Sequence, residues 1–387
     1  LKKLAIITTH PIQYNAPVFK MLTDRAKVDI KVFYTWEQAK ENFFDDDFKR
    51  EISWDIPLLE GYNYSFVANV ATKPGLHHFR GIDNPSLVTE INAFNPDAVL
   101  IFGWNFKSHL KVIRSFHNRI PVFFRGDSTL LDEKKGFKKY LRRLLLTWIY
   151  RHIDNALYVG QKNKEYFLSC GLKPEQLIFA PHAIDNDRFR RSLRNNDYRN
   201  NIISRSNLNI VDSDIVFLFA GKLENKKDPI LLAKAFKLLN SKRTQLVFVG
   251  NGALEERVKN ECQGVSNVHF VDFQNQTVMP FVYELADVFV LPSSGPGETW
   301  GLAVNEAMAC AKAVLVSNKC GCAIDLVKDS SNGFVFEANN LKDLLEKLNY
   351  FLLNPEELKL MGSASQDLIN NWNFEAVCQS VERLLLK

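Results

Sequence analysis

The sequence predicts an α/β protein made of two Rossmann-like domains, and three observations carry that prediction. Short apolar runs alternate with helical patterns through both halves of the chain, the signature of parallel sheets covered by helices. At 387 residues the chain exceeds one ordinary core and should divide in two. The rhythm breaks once, between about Arg188 and Asn209, where Arg, Asn and Ser dominate as in a domain linker.

In the first half the predicted strands are Leu4–Thr8, Asp29–Tyr34, Ala98–Phe102, Pro121–Phe124 and Asn155–Val159, each followed by a polar or glycine-containing turn. In the second half they are Ile215–Ala220, Gln245–Val249, Val268–Val271, Val288–Leu291 and Ala313–Ser317. The expected division is a first domain over 1–190, a linker over 191–209 and a second domain over 210–362. A C-terminal helix within 363–387 is expected to pack back toward the first domain. Two such halves would face each other across a central cleft at the carboxyl ends of their strands, where open α/β sheets bind ligands.

Composition narrows the class. Hydrophobic residues make up 46% of the chain and aromatics 12%, which excludes a disordered protein. A net charge of +5 is too mild to argue for nucleic acid. The six cysteines form no Cys-x-x-Cys pair or Cys/His cluster, so free thiols in a reducing compartment are expected. The stretch from Leu1 to Thr9 reads as a first strand, not a secretory leader. No apolar run reaches the ~18 residues that span a bilayer. The expected place is the cytoplasm, with peripheral association at the inner face of the cytoplasmic membrane.

The most informative segment follows the Val288–Leu291 strand. A Pro292-Ser-Ser-Gly-Pro-Gly297 turn leads to Glu298-Thr-Trp-Gly301 and then to a helical pattern that includes Leu302 and Glu306. A helix N-terminus reached through a glycine-rich turn suits a phosphate. If the whole segment were helical, the two glutamates would stand about 80° apart in azimuth and about 12 Å along the axis. It also reads as a surface helix with two ordinary acids. After the Ile215–Ala220 strand come Gly221-Lys222 and Lys226-Lys227, cations at a strand's carboxyl end that would neutralise a pyrophosphate or form a solvated lysine loop. The turn Gly250-Asn-Gly252 permits close backbone approach to a ligand.

These segments, in this order and spacing, together with Glu306-Ala-Met-Ala309, Gly321 and Asn332-Gly333, resemble the retaining glycosyltransferases of family 4, which have the GT-B fold. Pro181 to Phe189 is similar to the segment that closes that family's N-terminal domain. The resemblance implies that Glu298 binds the donor sugar's hydroxyls, Glu306 the ribose, and Lys222 and Lys227 the diphosphate. It also implies that Gly221, Thr299, Trp300, Gly301 and Leu302 line the donor, and that Gln274 and Asn275 contact the base. No cofactor or metal is expected, and the nucleotide-sugar is a substrate. A sugar-nucleotide epimerase of the same fold and a non-catalytic sugar-nucleotide-binding scaffold are the alternatives.

The first half is expected to hold the acceptor. His10, Gln13 and Tyr14 crowd the turn after the first strand, and the His10-Pro-Ile-Gln-Tyr14 segment resembles a subset of the family. Where many relatives carry a histidine, this chain has Arg125-Gly126, with Asp127 following, so Arg125 or Asp127 is the expected substitute. Trp104 is either an aromatic platform for a sugar or a core residue. Asp45-Asp46-Asp47 lies in a charged loop and reads as solvated, not as a metal site. From Lys134 to Arg151 an apolar face (Phe137, Tyr140, Leu141, Leu144, Leu145, Trp148, Ile149) opposes a basic stripe. That pattern is either a core helix with a solvated side or a helix drawn to an anionic membrane surface. The function expected from all this is metal-independent sugar transfer to a glycan or lipid-linked acceptor, in bacterial surface polysaccharide or lipopolysaccharide synthesis. Closure of the two domains would bring the acceptor hydroxyl to the face from which the diphosphate departs.

Overall fold

The computed structural model describes residues 1–36, 43–45, 50–52, 54–133, 136–192 and 204–387. By internal packing they form two compact units. One comprises Leu1–Phe43, Ile56–His182 and Phe374–Lys387; the other comprises Phe44–Asp55 and Ala183–Asn373.

In chain order come β1 (Lys3–Thr8), α1 (Ala16–Asp24) and β2 (Asp29–Tyr34) of the first unit, then a separate two-stranded ribbon of β3 (Phe43–Asp45) and β4 (Arg50–Ile52) that belongs to the second unit from Phe44 onward; the first unit resumes at Ile56. It continues with β5 (Asn63–Phe66), α2 (Leu87–Phe94), β6 (Ala98–Phe102), α3 (Lys107–Phe116), β7 (Val122–Arg125), α4 (Phe137–Tyr150), β8 (Asn155–Tyr158), α5 (Gln161–Ser169) and β9 (Leu177–Phe179). Its sheet is parallel throughout, in the order β5-β2-β1-β6-β7-β8-β9. The order reverses at β1, whose Ile6 lies beside Val32 of β2 on one side and Leu100 of β6 on the other.

The sheet is apolar because both faces are covered. Ala5, Ile7, Val99, Ile101, Val122 and Phe124 pack with Val112, Ile113 and Phe116 of α3 and with Phe167 of α5. Two buried polar groups fasten the carboxyl ends of the strands. The Asn84 amide donates to the carbonyls of Thr35, Val67 and Ala68. His109, fully buried, donates from Nδ1 to the Phe102 and Gly103 carbonyls, at 3.1 and 3.0 Å, and its Nε2 lies 2.9 Å from the Thr35 hydroxyl.

The second unit contains α6 (Asn186–Ser192), β10 (Ile215–Ala220), α7 (Pro229–Leu239), β11 (Thr244–Val249), α8 (Glu255–Glu261), β12 (Val268–Val271), α9 (Met279–Glu284) and β13 (Val288–Leu291). There follow α10 (Leu302–Ala309), β14 (Ala313–Ser317), α11 (Ala323–Leu326), β15 (Gly333–Phe336), α12 (Leu341–Leu353) and α13 (Leu358–Ile369). Its parallel sheet has the order β12-β11-β10-β13-β14-β15, the doubly wound order of a dinucleotide-binding fold. The core joins Phe217, Phe219, Phe248 and Val290 to Leu232 and Phe236 of α7 and to Leu348 and Phe351 of α12.

The boundaries differ in part from the expected ones. The first unit's continuous run stops at His182, ahead of the expected 190, because α6 packs into the second unit. There Phe189 is fully buried beside the Tyr283 ring, and the Asn186 amide donates to Ile369 and Trp372. Of the expected linker, 193–203 lie outside the described residues. Arg205 is fastened to the second unit through Asp287, at 2.7 Å, and the Leu285 carbonyl. The final helix, α14 (Phe374–Leu386), belongs to the first unit, whereas α13 belongs to the second. All six cysteines are unpaired and buried.

Candidate active site

In the second unit the sheet order reverses between β10 and β13, and the loops that follow these two strands leave the sheet at that reversal. The loop after β10 starts at Gly221, with φ 151°, and its N–H donates to Val249. The neighbouring loop after β11 lies against it backbone to backbone, with Leu223 N–H donating to Asn251 and Leu254 N–H to Leu223. A Cβ on Gly250 would stand 2.3 Å from the Gly221 carbonyl oxygen, and one on Gly252 would stand 2.5 Å from that of Leu223. These glycines therefore admit the close approach of a neighbouring loop.

The loop continues to Lys227, whose ammonium lies 2.8 Å from Glu298 Oε2. Ser293 Oγ donates to the same carboxylate oxygen at 3.2 Å. Burial would lower the Lys227 pKa, but the Glu298 carboxylate more than offsets this and holds it above the ordinary lysine value. Glu298 is 8% exposed, so removing one partner would leave the other charged and desolvated. Ser294 N–H donates to the Lys226 carbonyl at 2.8 Å, tying the loop after β13 to the loop after β10. Lys222 sits partly exposed in the first of these loops, beside buried Leu223.

Glu298 and Glu306 are not on one helix. Gly301 takes φ 102° and stops any helix there, so α10 begins at Leu302. A Cβ at Gly301 would come 2.9 Å from Leu291 Cδ2. The segment ahead of it is clamped by the turn at 320–322. Gly321 N–H donates to Glu298 O and Cys322 N–H to Trp300 O, both at 3.1 Å, and a Cβ on Gly321 would lie 1.7 Å from the Thr299 oxygen. Partly exposed Thr299 and Leu302 therefore stand at the opening of α10, where the first N–H groups of a helix lack intrahelical partners. The Trp300 indole turns inward, bonding Asn305 at 2.9 Å and packing on Trp372, so its side chain serves the core. Glu306 is buried and accepts from the Tyr283 hydroxyl at 2.7 Å.

After β12, Gln274 donates to the Asp272 carbonyl, and the Asn275 side chain accepts from Gln276 N–H at 2.9 Å. The Asn275 backbone carbonyl receives the first N–H groups of the turn into α9.

In the first unit the expected acceptor-side residues gather at strand ends. His10 has Nδ1 2.9 Å from the Thr9 hydroxyl and its ring edge-on to Trp36, and burial pulls its pKa down to about 4. Gln13 and Tyr14 lie partly exposed in the turn into α1, closed by Asn15 N–H donating to Ile12. Trp104 is partly exposed and packs against the first unit's core. Arg125 is buried, and its two terminal nitrogens donate to the Ala180 and Pro181 carbonyls at 2.8 and 2.9 Å. That pairing commits its guanidinium to the backbone near the unit's end. Asp127 is about half exposed, with His182 Nε2 3.8 Å from its carboxylate. Burial, with the nearby Arg125 charge, lowers the His182 pKa despite the Asp127 carboxylate. The sequence reading missed Ser293, Tyr283 and His182 as side chains of these sites. The Pro292-Ser-Ser and Pro181-His182 segments signalled Ser293 and His182, and no segment signalled Tyr283. The side chains of Asp45-Asp46-Asp47 lie outside the described residues.

Comparison with known families accounts for both units. A family model described as Glycosyl transferases group 1 matches residues 200–368, and one described as Glycosyltransferase Family 4 matches residues 23–188. The chain belongs to the group 1, family 4 glycosyltransferases. Among curated relatives, this glycosyltransferase is similar to the sulfoquinovosyl transferase SQD2 of Arabidopsis thaliana, with 23% identity over 77% of the chain and 58% of the relative. It is 28% identical to the lipopolysaccharide 1,2-N-acetylglucosaminetransferase of Salmonella typhimurium over 59% of the chain and 61% of the relative. The chain thus spans less than two thirds of the length of these relatives. Among solved structures it is similar to Anabaena Alr3699/HepE in complex with UDP, with a TM-score of 0.70, 17% identity and 100% of both chains covered. It is also similar to WaaG, a glycosyltransferase involved in lipopolysaccharide biosynthesis, with a TM-score of 0.67, 16% identity and 99% of both chains covered. The glycosyltransferase therefore has the GT-B fold.

Proposed function

We propose that the glycosyltransferase moves a hexosyl group from a nucleoside-diphosphate sugar to a hydroxyl of a glycan or lipid-linked acceptor, with retention at the anomeric carbon. The observation that carries the reading is the largely buried Lys227–Glu298 pair, held at the sheet reversal beside the opening of α10. Breaking the bond between the sugar's anomeric carbon and the diphosphate oxygen leaves the electron pair, and growing negative charge, on that oxygen. Lys227, Lys222 and the N–H groups at Thr299–Leu302 would stabilise that charge. Glu298, relinquishing part of its hold on Lys227 to the diphosphate, accepts from sugar hydroxyls. Glu306, oriented by Tyr283, accepts from the ribose. The loop at Gln274 and Asn275 meets the base. On the acceptor side His10, Gln13, Tyr14 and Asp127 are the candidates, with His182 added by its approach to Asp127.

The wider setting is surface polysaccharide or lipopolysaccharide synthesis. It draws on the Salmonella relative named above and on a Campylobacter jejuni relative, an α-1,3-N-acetylgalactosaminyltransferase acting on a diphospho-undecaprenol sugar, 26% identical over 61% of the chain. Complexes of the HepE structure with UDP and with UDP-glucose favour testing uridine donors first.

The test is release of nucleoside diphosphate from UDP-, GDP- and ADP-sugars in the presence of polyprenyl-diphosphate or glycan acceptors, with the anomeric configuration of the product read by NMR. Lys227→Ala and Glu298→Ala should each lower turnover by about 100-fold or more, while EDTA should leave it unchanged. Wild-type turnover in either variant, provided it melts cooperatively, would overturn the assignment.

A further inference from the structure

The helix α4 is turned the opposite way from a core helix. Phe137, Tyr140, Leu141, Leu144 and Leu145 are 48–75% exposed, whereas Leu146, Ile149 and Tyr150 are buried. At roughly 100° per residue, the five exposed side chains fall within about 75° of one direction, and the buried three centre almost opposite to it. The periodicity expected for a core face is real, but most of that face looks outward. Trp148 lies on the same azimuth at the helix's C-terminal end, with the guanidiniums of Arg114 and Arg151 over its ring at 5.5 and 5.8 Å.

The charges carried by the helix itself have one sign. Residues 136–151 contain Lys138, Lys139, Arg142, Arg143 and Arg151 and no acid. Glu133, just ahead of the helix, holds Lys139 at 2.8 Å and Arg143 at 2.9 Å on the inward side. Lys138 and Arg142 are exposed beside the apolar stripe. A stripe of large aliphatic residues with aromatics at both ends, bordered by cations, has the chemistry of an interfacial helix. A protein partner of ordinary composition would place acids or hydrogen-bonding groups along such a face. Lipid acyl chains match the apolar stripe, and anionic headgroups match its border. No helix of the described residues is long and apolar enough to cross a membrane, so this contact lies along the surface.

We propose that α4 seats the protein on an anionic bilayer, with Phe137, Tyr140, Leu141, Leu144 and Leu145 entering the headgroup–acyl boundary and Lys138 and Arg142 meeting lipid phosphates. The proposal stands on the helix alone and holds whatever sugar or nucleotide the second unit takes. The test is co-sedimentation of the full chain with vesicles of phosphatidylglycerol and phosphatidylethanolamine, and separately of phosphatidylcholine. The variants are Leu141→Glu with Leu144→Glu, and Lys138→Glu with Arg142→Glu. The wild type should partition onto the anionic vesicles about tenfold or more above the neutral ones, and less as salt rises. Each paired variant should lose about tenfold or more of that binding while keeping the wild-type melting temperature, since the altered side chains are exposed. Equal partitioning onto both vesicles, or wild-type binding by the Leu141/Leu144 variant, would overturn the proposal. So would concentration-dependent self-association of the wild type that this variant abolishes, because a second copy would then cover the stripe.

Discussion

The Lys227–Glu298 pair depends on a backbone contact two loops away. Gly321 holds Thr299 so closely that a single methyl would meet its carbonyl oxygen, so Gly321→Ala must displace the segment that carries Glu298. The expected cost is about 2 kcal/mol or more of stability, read by urea denaturation, with a parallel loss of nucleotide binding. Wild-type stability in this variant would mean that the clamp at 320–322 is looser than described. A second residue-scale expectation concerns His109, whose burial lowers its pKa from 6.5 to about 4. Because the folded state resists protonation, the neutral imidazole's contribution is complete above pH 6.5 and is lost as pH falls toward 4. The loss amounts to something on the order of 3 kcal/mol. Denaturation midpoints of the wild type should fall over that window more steeply than those of His109→Gln, which can still donate to a strand-end carbonyl; parallel pH profiles would count against the role.

At the scale of elements, α7 shows how local chemistry sets a site. Asp228 takes φ 44° and accepts from Leu231 N–H, capping the helix directly after Lys227. Asp228→Ala should cost about 1–2 kcal/mol, from the lost cap and the left-handed backbone, whereas Asp228→Asn should stay near wild type in thermal melts. Most strands were legible because fully buried apolar runs such as Ile215–Ala220 have few other readings. The ones the sequence reading passed over have physical reasons. β5 is polar and aromatic (Asn-Tyr-Ser-Phe) on a sheet edge, β9 has three residues on the other edge, and β15 opens on a glycine. The charged pair was legible as separate charges at two strand ends, but Ser293 and Tyr283 were not, since a serine or tyrosine acquires meaning only from what folding sets opposite it. The α4 periodicity was legible and its direction was not, because an apolar stripe has the same spacing whether it faces a core or a lipid.

At the scale of the whole molecule, the chain leaves its first unit near residue 182 and returns to it with α14. The return is fastened by Arg25, which bonds Glu375 at 2.6 Å and Glu382 at 2.8 Å, and by Ser380 donating to the Phe179 carbonyl. Arg25→Ala leaves Glu382 buried with Lys27 at 3.4 Å, and should destabilise the protein by something on the order of 2 kcal/mol. Arg25→Lys should recover part of that loss in the same thermal melts. The central claim is that the second unit grips a nucleoside diphosphate through Lys227 and Glu298. The most direct test is calorimetric titration of the wild type and Lys227→Ala with UDP, GDP and ADP and their sugars. At least one nucleoside diphosphate or its sugar should bind the wild type, with affinity falling about tenfold or more in the folded variant. Equal binding to both proteins, or no binding to the wild type by any of these compounds, would contradict it.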